Sequence, residues 1–393
     1  MKRPFISFLL TLPLWLSVAA CSGEEDIPTP DPTPVPADSA EHVVLVYMEA
    51  QNSLWSDAYS DLEEIEAARK DIPSDCRVAV FLDGFTQGGC IQTPRLLTYT
   101  SKESKEVLTY PSQMNSADSA TMVAVLDRMA RLFPARKYSL VLWSHGTGWV
   151  PAKKTRTRSF GSDNGMEMDI PVLRGVLEQL PRLNLQYILF DACFMQSIEV
   201  AYELRDVTRW VIGSPAEIPG KGAPYDLAMK NLCKADAEGI VQDYHRGYKD
   251  PYGAPLSAIC TNRLEMLAKA TASVLPACFA ERSTPSCEGV QRYDGRIGRT
   301  EMYGMKSAMY HLLDEETYAH WAEVFDWAVP VQSPVGSWIT LNSDYPPAKL
   351  TDPEHYGGVS IFLPSSRYDS KGYNTFFQTY QWYEAAGWKG TGW

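Results

Sequence analysis

What this chain lacks narrows its chemistry first. Cations are not in excess: Lys and Arg total 36 against 48 Asp and Glu, a formal net charge of -12. A nucleic-acid binder would carry a basic footprint, so no nucleic-acid partner is expected. The acidic balance favours basic ligands only as a bias on encounter. Histidine is scarce, with six in 393 residues, and neither a His-x-x-x-His nor a Cys-x-x-Cys pair occurs. The usual zinc signatures are therefore missing, and no metal ligand is assigned. Gly-x-Ser-x-Gly is absent too, so the serine elbow of an α/β-hydrolase is not encoded. No internal repeat and no second Pro-rich tether follow the first.

The chain opens MKRPFISFLLTLPLWLSVAAC. Lys2, Arg3, the apolar Phe5–Ala20 stretch and its small-residue end have the form of a secretory signal over residues 1–20. Pro13 interrupts the stretch, which is shorter than the roughly 20 residues a membrane span needs. Val18-Ala19-Ala20-Cys21 resembles a bacterial lipobox. That likeness implies cleavage before Cys21, lipidation of Cys21 and attachment to a membrane through the lipid. Repeated Pro in SGEEDIPTPDPTPVPADSAE makes residues 21–40 a semi-rigid tether. The acidic run after Cys21 resembles surface-export signals of Bacteroidetes lipoproteins. The expected location is the bacterial cell envelope, lipid-anchored at the outer membrane and surface-exposed.

With Cys21 assigned to lipid, Cys76, Cys90, Cys193, Cys233, Cys260, Cys278 and Cys287 remain. An exported chain can form disulfides, and an odd number leaves at least one thiol outside any pair. The segments 42–50, 76–84, 138–146, 186–193 and 209–215 read as buried strands, with 256–262 a sixth candidate. Helical spacing lies between them at 56–70, 116–133, 171–180 and 197–205. Strands apolar on both faces, alternating with helices, predict an α/β fold with a mostly parallel sheet covered on both sides. A short hairpin is expected in IQTPRLLTYT and KEVLTYP. Beyond about 265 the pattern loosens into two helices, a strand at 357–364 and an aromatic helix at 373–388. The expected domains are a core over 41–265 and a C-terminal elaboration over 266–393.

Two strands end unusually. LVLWSHGTGW puts His145 and Gly146 after one; FDAC puts Asp191 and Cys193 at the end of the other. Ligands gather at the carboxyl ends of parallel strands, and consecutive strands are often neighbours. A His and a Cys meeting there make a thiol nucleophile and its proton partner. A helix starting near Ser197 would help to lower the thiol's pKa. Backbone N–H groups of Gly146 and Cys193 could hold an oxyanion. Taken singly, a buried Cys is most often an inert small hydrophobe and a His beside Gly a turn residue. It is their joint position that points to catalysis.

These motifs resemble the clostripain family of cysteine peptidases, which shares a clan with caspases, legumains and gingipains. WSHGTGW is similar to the family's His-Gly-x-Gly-Trp block, and FDACFMQSIEVAYEL to its nucleophile strand and helix. GSPAEIPGKGAPY, GGVSIFLP and the aromatic terminal helix extend the likeness over nearly the whole chain after the tether. The resemblance implies a caspase-like three-layer α/β/α sandwich, with His145 as catalytic histidine and Cys193 as nucleophile. It makes Asp191 the acidic residue that selects Arg or Lys at the cleaved position, so the partners would be proteins or peptides with a basic P1. Lys221 lies in the loop expected to line that pocket, where a cation would oppose a basic side chain unless it points away.

The resemblance also implies a zymogen that cuts itself between His and Cys. Lys153, Lys154, Arg156 and Arg158, in the polar segment 151–169, are the candidate sites. No cofactor is expected to be required. Calcium stays open: some relatives need it, and Asp163–Glu167 is acidic, but EF-hand spacing is absent. A second reading, from another class, is an inactive peptidase scaffold that binds partners at the surface through some of its 21 Tyr and 11 Trp.

Overall fold

The computed structural model describes residues 39–85, 89–150, 160–248, 253–294, 302–339 and 347–393. Cys21, the signal and nearly all of the tether, and Lys153, Lys154, Arg156 and Arg158, lie outside the described residues.

The chain begins with β1 (Ala40–Ala50), α1 (Trp55–Ala67) and β2 (Cys76–Gly84). Next come the hairpin β3 (Arg95–Tyr99) and β4 (Ser104–Thr109), then α2 (Ser119–Leu132) and β5 (Ala135–Trp143). A small hairpin, β6 (Phe160–Asp163) and β7 (Met166–Met168), precedes α3 (Ile170–Glu178) and β8 (Leu185–Asp191). They are followed by α4 (Ile198–Glu203), β9 (Trp210–Gly213), α5 (Tyr225–Lys234), α6 (Ala237–Gly247) and β10 (Leu256–Cys260). The C-terminal third holds α7 (Leu264–Cys278), β11 (Tyr303–Gly304), α8 (Met305–Leu312), α9 (Glu315–Ala328) and β12 (Val331–Ser333). It ends with β13 (Ser337–Trp338), β14 (Ala348–Lys349), β15 (Ser360–Ile361), α10 (Tyr373–Phe377) and α11 (Gln381–Ala385).

Among the described residues nine strands form one sheet, in the order β12-β10-β9-β8-β5-β1-β2-β3-β4. The inner strands β9, β8, β5, β1 and β2 run parallel; both flanks are antiparallel. Side chains alternate between faces along a strand. On β1, Val43, Leu45 and Tyr47 enter one core with α2, α3, α4, α7 and the C-terminal helices. Val44, Val46 and Met48 enter the other, with α1, α5 and α6. Each such side chain contributes about 1.5–3 kcal/mol by leaving water. The result is the three-layer α/β/α sandwich.

Local pattern misled at several places. The run 357–364 was expected as a strand, but only Ser360–Ile361 is paired, and its partner is the two-residue β11 outside the large sheet. Its backbone is taken up by the start of α4 instead: Ser360 N–H donates to the Gln196 carbonyl and Phe362 N–H to the Glu199 carboxylate. The expected helix 373–388 is broken into α10 and α11, with Gly387 left-handed at φ 80° beyond them. The strand at 256–262 exists as β10 but runs antiparallel. Residues 160–168, read as unpatterned loop, form the β6–β7 hairpin. Helices α5, α6 and α8 and the edge strand β12 were not anticipated.

Candidate active site

β5 and β8 are neighbours in register, with Trp143 opposite Asp191. Both chains therefore leave the sheet at the same level and on the same edge. Two residues beyond that level stand His145 and Cys193, lining one cleft of about 30 Å³ with Trp143, Asp191, Ile218 and Gly222. The pairing read from sequence is thus realised in space.

The glycines of WSHGTGW have a steric role. A Cβ on Gly146 would lie 2.6 Å from the Cys193 carbonyl oxygen, and one on Gly148, whose φ is +69°, would lie 2.5 Å from that of Phe194. Only glycine lets the His loop press against the Cys turn so closely. That turn is itself unusual, because Phe194 takes a left-handed φ of 63°, a cost often found at functional sites. Trp149 is fully buried against Phe362, Phe377 and Tyr373, and its carbonyl accepts from the Tyr380 hydroxyl at 2.9 Å. The C-terminal segment thereby clamps the end of the His loop.

His145 is partly exposed, and its Nε2 lies 2.9 Å from Ser53 Oγ. Asn52 holds the loop carrying Ser53: its Nδ2 donates to the carbonyls of Glu49 and Ser162, and its Oδ1 accepts from Leu54 N–H. Ser144 Oγ donates to the Glu49 carbonyl at 2.8 Å, a structural bond that leaves it no nucleophilic part. Gly161 N–H donates to the His145 carbonyl at 3.0 Å. The residues just after the 151–159 segment are therefore wired directly to the histidine.

Cys193 is buried, and Ile218 N–H points to its Sγ at 3.4 Å. The thiol in turn donates to the Ile218 carbonyl at 3.8 Å. The expected help from a helix end is weak. α4 begins only at Ile198, and Ser197 Oγ caps it by accepting from Val200 N–H.

Asp191 forms the floor. Its carboxylate accepts from Ala223 N–H at 3.0 Å, from the Tyr244 hydroxyl at 2.7 Å and from the Tyr225 hydroxyl at 3.1 Å. Burial nevertheless raises its pKa, outweighing these donors. Asp61, also buried, accepts from Trp143 Nε1 at 2.6 Å. Burial first, then the Asp191 charge, pushes Asp61 up to about 10. Lys221 points away from both: its Nζ donates to the Gly247 carbonyl at 2.7 Å and sits 4.0 Å above the Tyr248 ring.

Sequence reasoning missed Ser53, Asp61, Tyr225 and Tyr244. All four reach the site across the fold, so no local spacing announced them. A charged residue at an inward-facing helical position was the one signal available for Asp61. Asp163, weighed above as a calcium ligand, is buried and accepts from Ser116 Oγ at 3.0 Å. Among the described residues no group of three or more His, Cys, Asp or Glu side chains is disposed to hold a metal ion. The site chemistry below uses none.

Comparison with known proteins agrees with this geometry. The family model of the clostripain family matches residues 46–393. Clostripain of Hathewaya histolytica is 22% identical over 295 residues, 67% of this chain and 53% of that protein, so the match spans about half the relative's length. An inactive zymogen C11 protease from Parabacteroides distasonis superposes with a TM-score of 0.76 at 25% identity, over 90% of this chain and 99% of that one. A secreted C11 cysteine protease from Bacteroides thetaiotaomicron, solved with an irreversible peptide inhibitor, gives 0.74 at 28% identity, over 89% and 99%.

Proposed function

The chain belongs to the clostripain family, and from that premise we propose that it is a cysteine endopeptidase cutting after Arg or Lys. The observation that carries this reading is the single cleft shared by His145 and Cys193 at the carboxyl ends of adjacent parallel strands. In the proposed mechanism the Cys193 thiolate attacks the carbonyl carbon of the scissile bond. Backbone N–H groups of Gly146 and Cys193 hold the oxyanion. His145 protonates the leaving amine, and the amide C–N bond breaks. His145 then takes a proton from water, which attacks the thioester and releases the acid and the free thiol.

Basic specificity is supported by the floor. Asp191 and Asp61 are both buried carboxyls, burial raises the pKa of both, the Asp191 charge further raises that of Asp61, and Lys221 is engaged elsewhere. A guanidinium or ammonium entering the cleft would supply the missing counter-charge. The cleft is narrow, about 30 Å³, and the Ile218–Gly222 segment that walls it would have to give way to a long basic side chain, as suits a precursor. We infer that activation is a self-inflicted cut after Lys153, Lys154, Arg156 or Arg158, transmitted to His145 through the Gly161 bond. From the signal-like start and the lipobox-like Val18-Ala19-Ala20-Cys21 we further propose an exported lipoprotein anchored through Cys21.

The test uses an Arg-aminomethylcoumarin peptide and gel analysis of the purified chain. Wild type should turn over the peptide and run as two fragments. His145→Ala and Cys193→Ala should do neither. Turnover that survives His145→Ala, or a wild type that binds but never cleaves, would favour an inactive binding scaffold or another nucleophile.

A further inference from the structure

Two cysteines that the proposed chemistry does not use meet at the opposite end of the sheet. Cys76 opens β2, and its Cα pairs with that of His42 on β1. Cys233 lies in the last turn of α5. The two thiols are within hydrogen-bonding reach of each other, and each residue is 5% exposed. His42 fixes the helix end, its Nδ1 lying 2.7 Å from the Cys233 carbonyl, while its Nε2 lies 2.9 Å from Ser139 Oγ. Cys76 also lines a cleft of about 470 Å³ with Arg77, Thr100, Phe133 and Pro134, which gives a small oxidant a route to the sulfur.

We propose that Cys76 and Cys233 are a redox-forming disulfide pair, and that the bond covalently joins the two chains made by a cut in 151–159. The second half rests on the processing reading above; the first does not. Cys76 precedes the cut segment and Cys233 follows it, so a bridge would span the break. It would also pin α5 to β2. The other end of α5 carries Tyr225, whose hydroxyl supports Asp191. The covalent tie would thus hold the specificity floor against the sheet after the chain is cut.

The chemistry balances with a disulfide as electron acceptor, either a small-molecule disulfide or that of an envelope dithiol oxidase. The Cys76 thiolate is the first attacker, because Cys76 lines the cleft through which the acceptor arrives. It breaks the acceptor's S–S bond and releases one thiolate, leaving a mixed disulfide on Cys76. Cys233 then attacks the Cys76 sulfur and displaces the second thiolate. Two electrons reduce the acceptor, and the two cysteine protons end on its two thiols.

The test is to incubate the intact purified protein with oxidised glutathione, block residual thiols with N-ethylmaleimide and map the peptides. The expected result is a Cys76–Cys233 linked peptide in most molecules. Processed wild type should run as one band without reductant and two with it, whereas Cys233→Ser should run as two in both. Recovery of Cys76 and Cys233 as maleimide adducts overturns the pair. Separate wild-type fragments without reductant overturn the inter-chain bond while leaving processing intact. A chain that is never cut but yields the linked peptide overturns processing alone.

Discussion

Replacing Asp191 with Asn removes the charge from the cleft floor while keeping the side chain's size. The structural cost should be small. Asn keeps one acceptor oxygen for Ala223 N–H, and the Tyr225 and Tyr244 hydroxyls, which now donate to the carboxylate, can rotate to accept from the new amide. Roughly 1 kcal/mol of lost hydrogen bonding is expected, so the variant should fold. The functional cost is larger. Removing one partner of a buried, hydrogen-bonded charge pair costs about 2–5 kcal/mol, which is about 30-fold to a few thousand-fold in kcat/KM.

The assay compares kcat/KM on two peptides identical but for P1, Arg in one and Gln in the other. Asp191→Asn should lower the Arg value by at least about 30-fold and leave the Gln value within about 3-fold. The pH dependence adds a second reading. Burial raises the Asp191 pKa, so the charged form that binds Arg is lost as pH falls through that raised value. The wild-type Arg/Gln ratio should therefore climb with pH, and the variant's ratio should stay flat. An equal fall on both peptides, or no fall on Arg, would refute Asp191 as the specificity residue.

Gly148→Ala should abolish turnover and lower the melting temperature, because its Cβ would meet a backbone carbonyl at 2.5 Å from a left-handed φ; an active variant with unchanged melting would show that the His loop need not press on the Cys turn. Ser53→Ala should lower kcat by about 3- to 10-fold with KM unchanged, the worth of one hydrogen bond to the histidine. A shifted pH–rate profile in that variant would mark orientation or proton affinity of His145, and an unchanged kcat would remove Ser53 from the site.

The inner sheet was legible because its signal is local. HVVLVYMEA and QYILFDAC are apolar on both faces, and only a strand covered on both sides satisfies that pattern. Where the chain is held by distant partners, local pattern failed. GGVSIFLP has strand-like residues, yet its N–H groups go to Gln196 and Glu199. The aromatic tail has helical spacing, yet the helix stops at Phe377 and restarts at Gln381, with Trp382 packed on Tyr202 and Trp388 on Phe279.

Residue types and their spacing already define the chemistry available: a His-Gly ending, an Asp-x-Cys ending and a basic segment between them. Tertiary structure decided what those residues face. The register of Trp143 with Asp191 brings the two endings to one cleft. Long-range hydrogen bonds add Ser53 to His145 and the two tyrosines to Asp191, and turn Lys221 toward Gly247. Sequence spacing reports which face of an element is buried. It carries no information on what packs against that face, and the cleft, its closed floor and the Cys76–Cys233 contact are all properties of packing.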